Sequence, residues 1–153
     1  MGARAQAEGL GFEKLFTMIC NQQGFQWIKI PTGARIYGKD RFGKPKYALT
    51  RSPFDFAIAG ILNGQSVAAY IDCKTIDANT YPRSLIDWNQ VNDLERFERV
   101  GHPAGYLIYF RKSHRVVFFK ASKILVMESS LKMEQGMCLG DIHSANLHIL
   151  WPK

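Results

Sequence analysis

Two apolar runs, PFDFAIA (residues 53–59) and SVAAYIDCK (residues 66–74), flank GILNGQ, and this pairing constrains the fold more than any other feature of the chain. Asn63 and Gly64 both tolerate positive φ, so Asn-Gly between apolar runs predicts a tight antiparallel hairpin. A loop centred there opposes residues whose numbers sum to 127, which sets Asp55 against Asp72. Opposed side chains share a face, with Cβ atoms about 4.5–5.5 Å apart. Lys74 joins them because strand side chains alternate. The other face is then expected to carry Phe54, Phe56, Ile58, Val67, Ala69, Ile71 and Cys73 as a continuous apolar surface.

Two opposed carboxylates repel, and one chemical remedy is a divalent cation held by hard oxygen ligands, magnesium or manganese. The other is a carboxyl whose raised pKa makes it a proton donor. Two further polar residues are candidates for the same site. Gln90 falls on the helical stripe Ile86, Gln90, Leu94, Phe97, and Glu13 follows Phe12 at the edge of an N-terminal apolar stripe.

The rest of the chain reads as an alternation of helices and strands. Leu10, Phe12, Leu15, Phe16 and Ile19 predict a helix over 6–23 that stops at Gly24, and FQWIKIP follows as a strand. Ser84 and Asp87 resemble a capping box that opens a helix running to Gly101. AGYLIYF and RVVFFK form a second hairpin around RKSH, ASKILVMES is a short helix, and NLHILW is a final strand. A helical crossover between two antiparallel hairpins predicts an α/β fold with a mixed sheet flanked by helices. The 153 residues read as a single domain, from which a basic arm at about 32–52 projects.

Charge is concentrated in that arm. Residues 29–51 hold Lys29, Arg35, Lys39, Arg41, Lys44, Lys46 and Arg51 against Asp40 alone, nearly the whole formal excess of +7. Tyr37, Phe42 and Tyr47 are interleaved with them. Clustered cations bind phosphate backbones through counterion release, and aromatics stack on unpaired bases, so this segment is expected to bind nucleic acid. Cys20, Cys73 and Cys138 form no disulfide framework or CxxC pair, and His102, His114, His143 and His148 lack zinc spacing with them. No apolar run reaches the roughly 18 residues that span a bilayer, and MGARAQAEGLGFEKLF lacks a secretory core, so a cytoplasmic protein is expected.

With these residues assembled, the chain resembles the PD-(D/E)XK nuclease superfamily: SPFD supplies Asp55, and DCK supplies Asp72 and Lys74. More narrowly it is similar to the RecU-type Holliday junction resolvases of bacteria and their phages. GFEKLF resembles that family's glutamate-bearing first helix, IKIPT its turn into a projecting stalk, and DWNQVNDL its glutamine-bearing helix. The likeness covers about residues 9–125. Family members commonly carry Glu at the position of Asp72 and often His before the glutamine, here Asn89; the arm and C-terminal part are shorter in this chain.

The resemblance implies a restriction-endonuclease-like core and a homodimer that resolves four-way DNA junctions by magnesium-dependent phosphodiester hydrolysis, with manganese able to substitute. It implies Asp55, Asp72, the Cys73 backbone carbonyl and Glu13 as metal ligands, and Lys74 and Gln90 as their catalytic companions. Lys29, Arg35, Lys39, Arg41, Lys44, Lys46 and Arg51 would hold the DNA. The competing readings are another nicking or repair endonuclease of the same superfamily, and a basic DNA-binding module with a degenerate site.

Overall fold

The computed structural model describes residues 3–31, 33–50 and 53–152, with side chains described at 11–31, 38–46 and 53–152. Helix α1 (Ala3–Gln22) comes first and starts earlier than the apolar stripe predicts. It ends where Gly24 turns to φ 78° and the Phe25 N–H reaches back to the Cys20 carbonyl at 2.9 Å, a glycine-dependent stop. Strand β1 (Gln26–Lys29) follows, and the basic segment then forms its own hairpin from β2 (Gly33–Lys39) and β3 (Pro45–Thr50).

Strands β4 (Phe56–Leu62) and β5 (Gln65–Ile76) meet at Asn63-Gly64, whose φ values of 51° and 79° close a two-residue turn. Their pairs run from Leu62↔Gln65 to Phe56↔Ile71, so the predicted register holds. The short β6 (Thr80–Tyr81) is followed by α2 (Trp88–Arg99), β7 (Ala104–Phe110), β8 (Arg115–Lys120) and α3 (Ala121–Val126). Then come β9 (Leu131–Lys132), which pairs with β6, and β10 (Met137–Asp141).

The main sheet has six strands in the order β1-β4-β5-β7-β8-β10. Among these described strands only the β5–β7 pair is parallel, as expected where α2 carries the chain across. One face packs on α1: Phe12, Phe16, Ile19 and Cys20 bury Phe56, Ile58, Ala69, Ile71, Leu107 and Phe118. The opposite face is covered by α2 and α3, with Val91, Leu94 and Ile124 against Tyr106, Ile108, Phe110, Val117 and Phe119. This is the restriction-endonuclease-like arrangement of helices on both faces of a mixed sheet.

Three local expectations are corrected. Ser84 lies in a 3-10 turn (Arg83–Leu85), and Asp87 is the residue that caps α2, its side chain accepting from the Gln90 N–H. Phe54 sits on the α2 face against Tyr70 and Phe97, because the chain at 53–55 is bent and the two-residue alternation starts only at Phe56. NLHILW is a 3-10 turn (Leu147–Leu150) rather than a strand, its polar Asn146 side chain accepting from the His148 N–H. The last strand is instead Met137–Asp141, interrupted by a bulge beside Gly140.

Candidate functional site

The site lies where β4 leaves β5. Pairing between them ends at Phe56↔Ile71, yet β5 continues for five residues alongside β7. Past Ile71, the β4 side of β5 is therefore vacant of strand, and Asp55 occupies it. The Asp55 N–H donates to the Ile71 carbonyl (3.1 Å), and its carbonyl accepts from the Ile30 N–H (2.8 Å). Its Oδ2 accepts from the Cys73 N–H at 2.9 Å. The N–H and C=O of a strand residue point to the same side, so the Cys73 carbonyl also faces this gap.

Asp72 is 1% exposed and is the only charged residue within the core among those described. Its neighbours on β5 and β7, together with α2, leave it almost no water. Gln90 Nε2 donates to Asp72 Oδ1 at 2.7 Å, and Lys74 Nζ lies 2.9 Å from Oδ2. That lysine contact is a charge contact rather than an aligned hydrogen bond: Asp72 Oδ2 and Gln90 Oε1 are both buried without a hydrogen-bond partner among the described residues. Lys74 also lies 5.1 Å from the centre of the Tyr106 ring, whose hydroxyl oxygen accepts from the Asp87 N–H. Asp87 thus caps α2 and ties its first turn to β7, which sets the position of Gln90.

Burial and the nearby charge of Asp55 push the Asp72 carboxyl up to about 7, although Lys74 pulls the other way. Burial alone would lower the Lys74 pKa, but the negative charge of Asp72 beside it outweighs burial and the ammonium is held protonated above its usual range. Burial, then the surrounding carboxylates, raise the Cys73 thiol well above its ordinary value, so the sulfur stays a neutral thiol at neutral pH.

Of the sequence-predicted residues, Asp55, Asp72, Cys73, Lys74 and Gln90 are brought together here. Glu13 reaches the site from α1 through a cation: the Lys29 ammonium stands between Glu13 Oε2 (3.0 Å) and Asp55 Oδ1 (3.2 Å). Among the described residues, no three of His, Cys, Asp and Glu converge as a metal-holding cluster. The sequence groups Lys29 with the phosphate-binding cations of the arm, whereas its ammonium is engaged by these two carboxylates. A signal for this placement exists in the sequence, since Phe25, Trp27 and Lys29 share one parity and the first two pack on the α1 side.

Lys39, Arg41, Lys44 and Lys46 are exposed on the hairpin. Its tip is locked by Asp40, whose Oδ1 accepts from the Phe42 and Lys44 N–H groups at 2.8 and 2.9 Å, with Gly43 at φ 77°. Arg41 lies over the ring of Phe42, itself exposed. Arg35 falls within β2 but its side chain lies outside the described residues, as does Arg51 entirely.

The donors around the gap are carboxylate, amide and backbone oxygens, which suit a hard divalent cation. The buried Gln90 Oε1, which has no hydrogen-bond partner among the described residues, fits the same reading, because buried acceptors without partners normally face an ion or water.

No protein-family model and no curated protein matches the sequence. Among the described residues no helix is long and apolar enough to cross a membrane. Among solved structures, the chain is similar to Hjc, a Holliday junction resolvase from the archaeal hyperthermophile Archaeoglobus fulgidus. The TM-score is 0.56 and the identity 18%, over 90% of this chain and all of that one, a likeness of fold.

Proposed function

We propose that this protein is a metal-dependent endodeoxyribonuclease that resolves four-way DNA junctions, as a homodimer of the RecU type. The observation that carries the reading is the parting of β4 from β5, beside which Asp55 takes the Cys73 N–H while Gln90 and Lys74 meet the buried Asp72. Its fold, shared with the archaeal resolvase Hjc, and its basic hairpin supply the rest of the support.

Asp55, Asp72 and the Cys73 carbonyl would hold magnesium, with manganese as a substitute. When bound, such an ion supplies Lewis-acid polarisation of a phosphoryl oxygen and a water of lowered pKa. The chain's own residues do the remainder. Gln90 fixes one oxygen of Asp72 through its amide N–H and leaves its own Oε1 available to orient a water. Lys74, kept protonated by Asp72, offers a fixed positive charge for the phosphate as negative charge grows in the transition state. The hairpin cations Lys39, Arg41, Lys44 and Lys46, with Arg35 and Arg51, bind the backbone without reading sequence, so selectivity rests on junction shape.

The test is a side-by-side cleavage assay on a four-way junction, a flap and a linear duplex, each with magnesium and with EDTA. Junction-selective cleavage that EDTA abolishes and Asp72→Asn removes, with binding retained, is the expected result. Equal cutting of all three substrates would make the protein a general nuclease of the same fold. Absence of metal-dependent cleavage on any of them would leave a DNA-binding module.

A further inference from the structure

Two lysines serve the two carboxylates of the gap, and they differ in kind. Lys74 is paired with Asp72 in the interior; its side chain is 25% exposed and lies near the Tyr106 ring. Lys29 is on the edge strand, its side chain is 43% exposed, and it bridges Asp55 and Glu13 with its ammonium above the Phe56 ring at 4.9 Å. Asp55 Oδ2 is committed to the Cys73 N–H, so Oδ1 is the oxygen free to meet a cation, and the Lys29 ammonium already holds it.

An ammonium and a divalent ion cannot share that oxygen at contact distance, because two positive charges at such separations repel strongly. Formal charge points the same way. Glu13, Asp55 and Asp72 against Lys74 leave a net charge of −2, the amount one divalent cation neutralises, whereas counting Lys29 leaves only −1. Half-exposed ion pairs are also easily exchanged, since solvent screens them. Lys29 ends β1 and the basic hairpin begins soon after it at Gly33, so along the chain Lys29 adjoins the segment proposed to bind phosphate.

We propose that Lys29 is a releasable occupant of the cation seat: in the DNA-free protein its ammonium bridges Glu13 and Asp55, and a DNA phosphate draws it away so that the divalent ion can enter. This inference rests on the metal-centred reading above. It makes metal loading conditional on substrate, which keeps the free protein from holding an armed site. By linkage, metal and DNA each strengthen the binding of the other by one common factor.

The experiment measures Mn²⁺ binding by the loss of the free-ion EPR signal, for wild type, Lys29→Met, Lys29→Arg and Asp55→Asn, each checked for folding by circular dichroism. Lys29→Gln replaces the Met variant if that one melts early. Without DNA, Lys29→Met should bind Mn²⁺ about tenfold or more tightly than wild type, since one competing charge is gone, while Lys29→Arg stays weak. A four-way junction with non-hydrolysable linkages should tighten the wild type toward the Met variant and change that variant little. Asp55-dependent Mn²⁺ binding that is equal or weaker in Lys29→Met overturns the role of Lys29 and leaves the metal site standing. Absence of Asp55-dependent binding in both wild type and Lys29→Met overturns the metal site and the inference together.

Discussion

Asp72→Asn should separate the stability of this fold from its chemistry, and pH is the lever. Asp72 is almost wholly buried, and burial moves its carboxyl from the ordinary 3.8 to about 7. In the unfolded chain the group loses its proton near pH 4; in the folded, metal-free protein it keeps that proton until about pH 7. Between those values the native state binds more protons than the unfolded one, so stability falls as pH rises, and it levels off above about pH 7. At about 1.4 kcal/mol per unit, the stability of the wild type should drop by about 4 kcal/mol on this account between about pH 4 and pH 8.5. Lys74 does not enter that window, because its pKa is raised. The Asp72 side chain is only 2% exposed, so solvent screening subtracts little. The amide that replaces the carboxyl in the Asp72→Asn variant cannot titrate, so that protein lacks this slope. Urea unfolding in EDTA, run on both proteins across the range, reads the difference directly: the two stability curves should diverge by about 4 kcal/mol, with the variant gaining at high pH. Magnesium should flatten the wild-type curve, since a bound cation holds Asp72 ionised. Parallel curves in EDTA would refute the claim that Asp72 is a buried, proton-holding carboxyl.

Lys74→Met should lower junction cleavage by about 10²-fold or more while leaving junction affinity within a few-fold, measured by single-turnover cleavage beside a gel-shift titration. Reversing the hairpin charges with Lys39→Glu and Lys44→Glu should weaken binding and reduce the slope of log affinity against log salt by about 0.9 per lost phosphate contact; an unchanged slope would remove the hairpin from the interface. Gly105→Ala should cost about 3 kcal/mol or more in urea unfolding, because overpacking against backbone has no cheap relief. A Cβ there would sit 2.0 Å from the Phe119 carbonyl oxygen on the neighbouring strand. Near-wild-type stability of that variant would mean that β7 and β8 can separate at this point.

Much of the fold was legible because it is written in local chemistry. Asn63-Gly64 can close a two-residue turn where bulkier residues would strain, and that single turn determines the register that runs from Leu62↔Gln65 to Phe56↔Ile71. The alternation along Gln65–Ile76 then decides which residues face α1 and which face α2. The mixed sheet followed from a helix lying between two hairpins, because a parallel pair needs a crossover. The C-terminal strand was not legible: Met137–Asp141 carries no alternation, and its place is set by pairing with β8 around a bulge. Phe54 shows the same limit in one residue, since a bend in the backbone reverses the face that parity assigns.

For the site, residue types and spacing alone determined that Asp72 and Lys74 would share one face of β5, because a two-residue repeat is a property of neighbouring backbone. What tertiary structure decided was how each is held. Only the parting of β4 from β5 opens the Cys73 N–H to Asp55, only the packing of α2 on β5 strips water from Asp72 and brings Gln90 to it, and only the approach of α1 to β1 places Lys29 between Glu13 and Asp55. Each of these depends on desolvation and on contacts between segments far apart in the chain, quantities that no local pattern of residues contains.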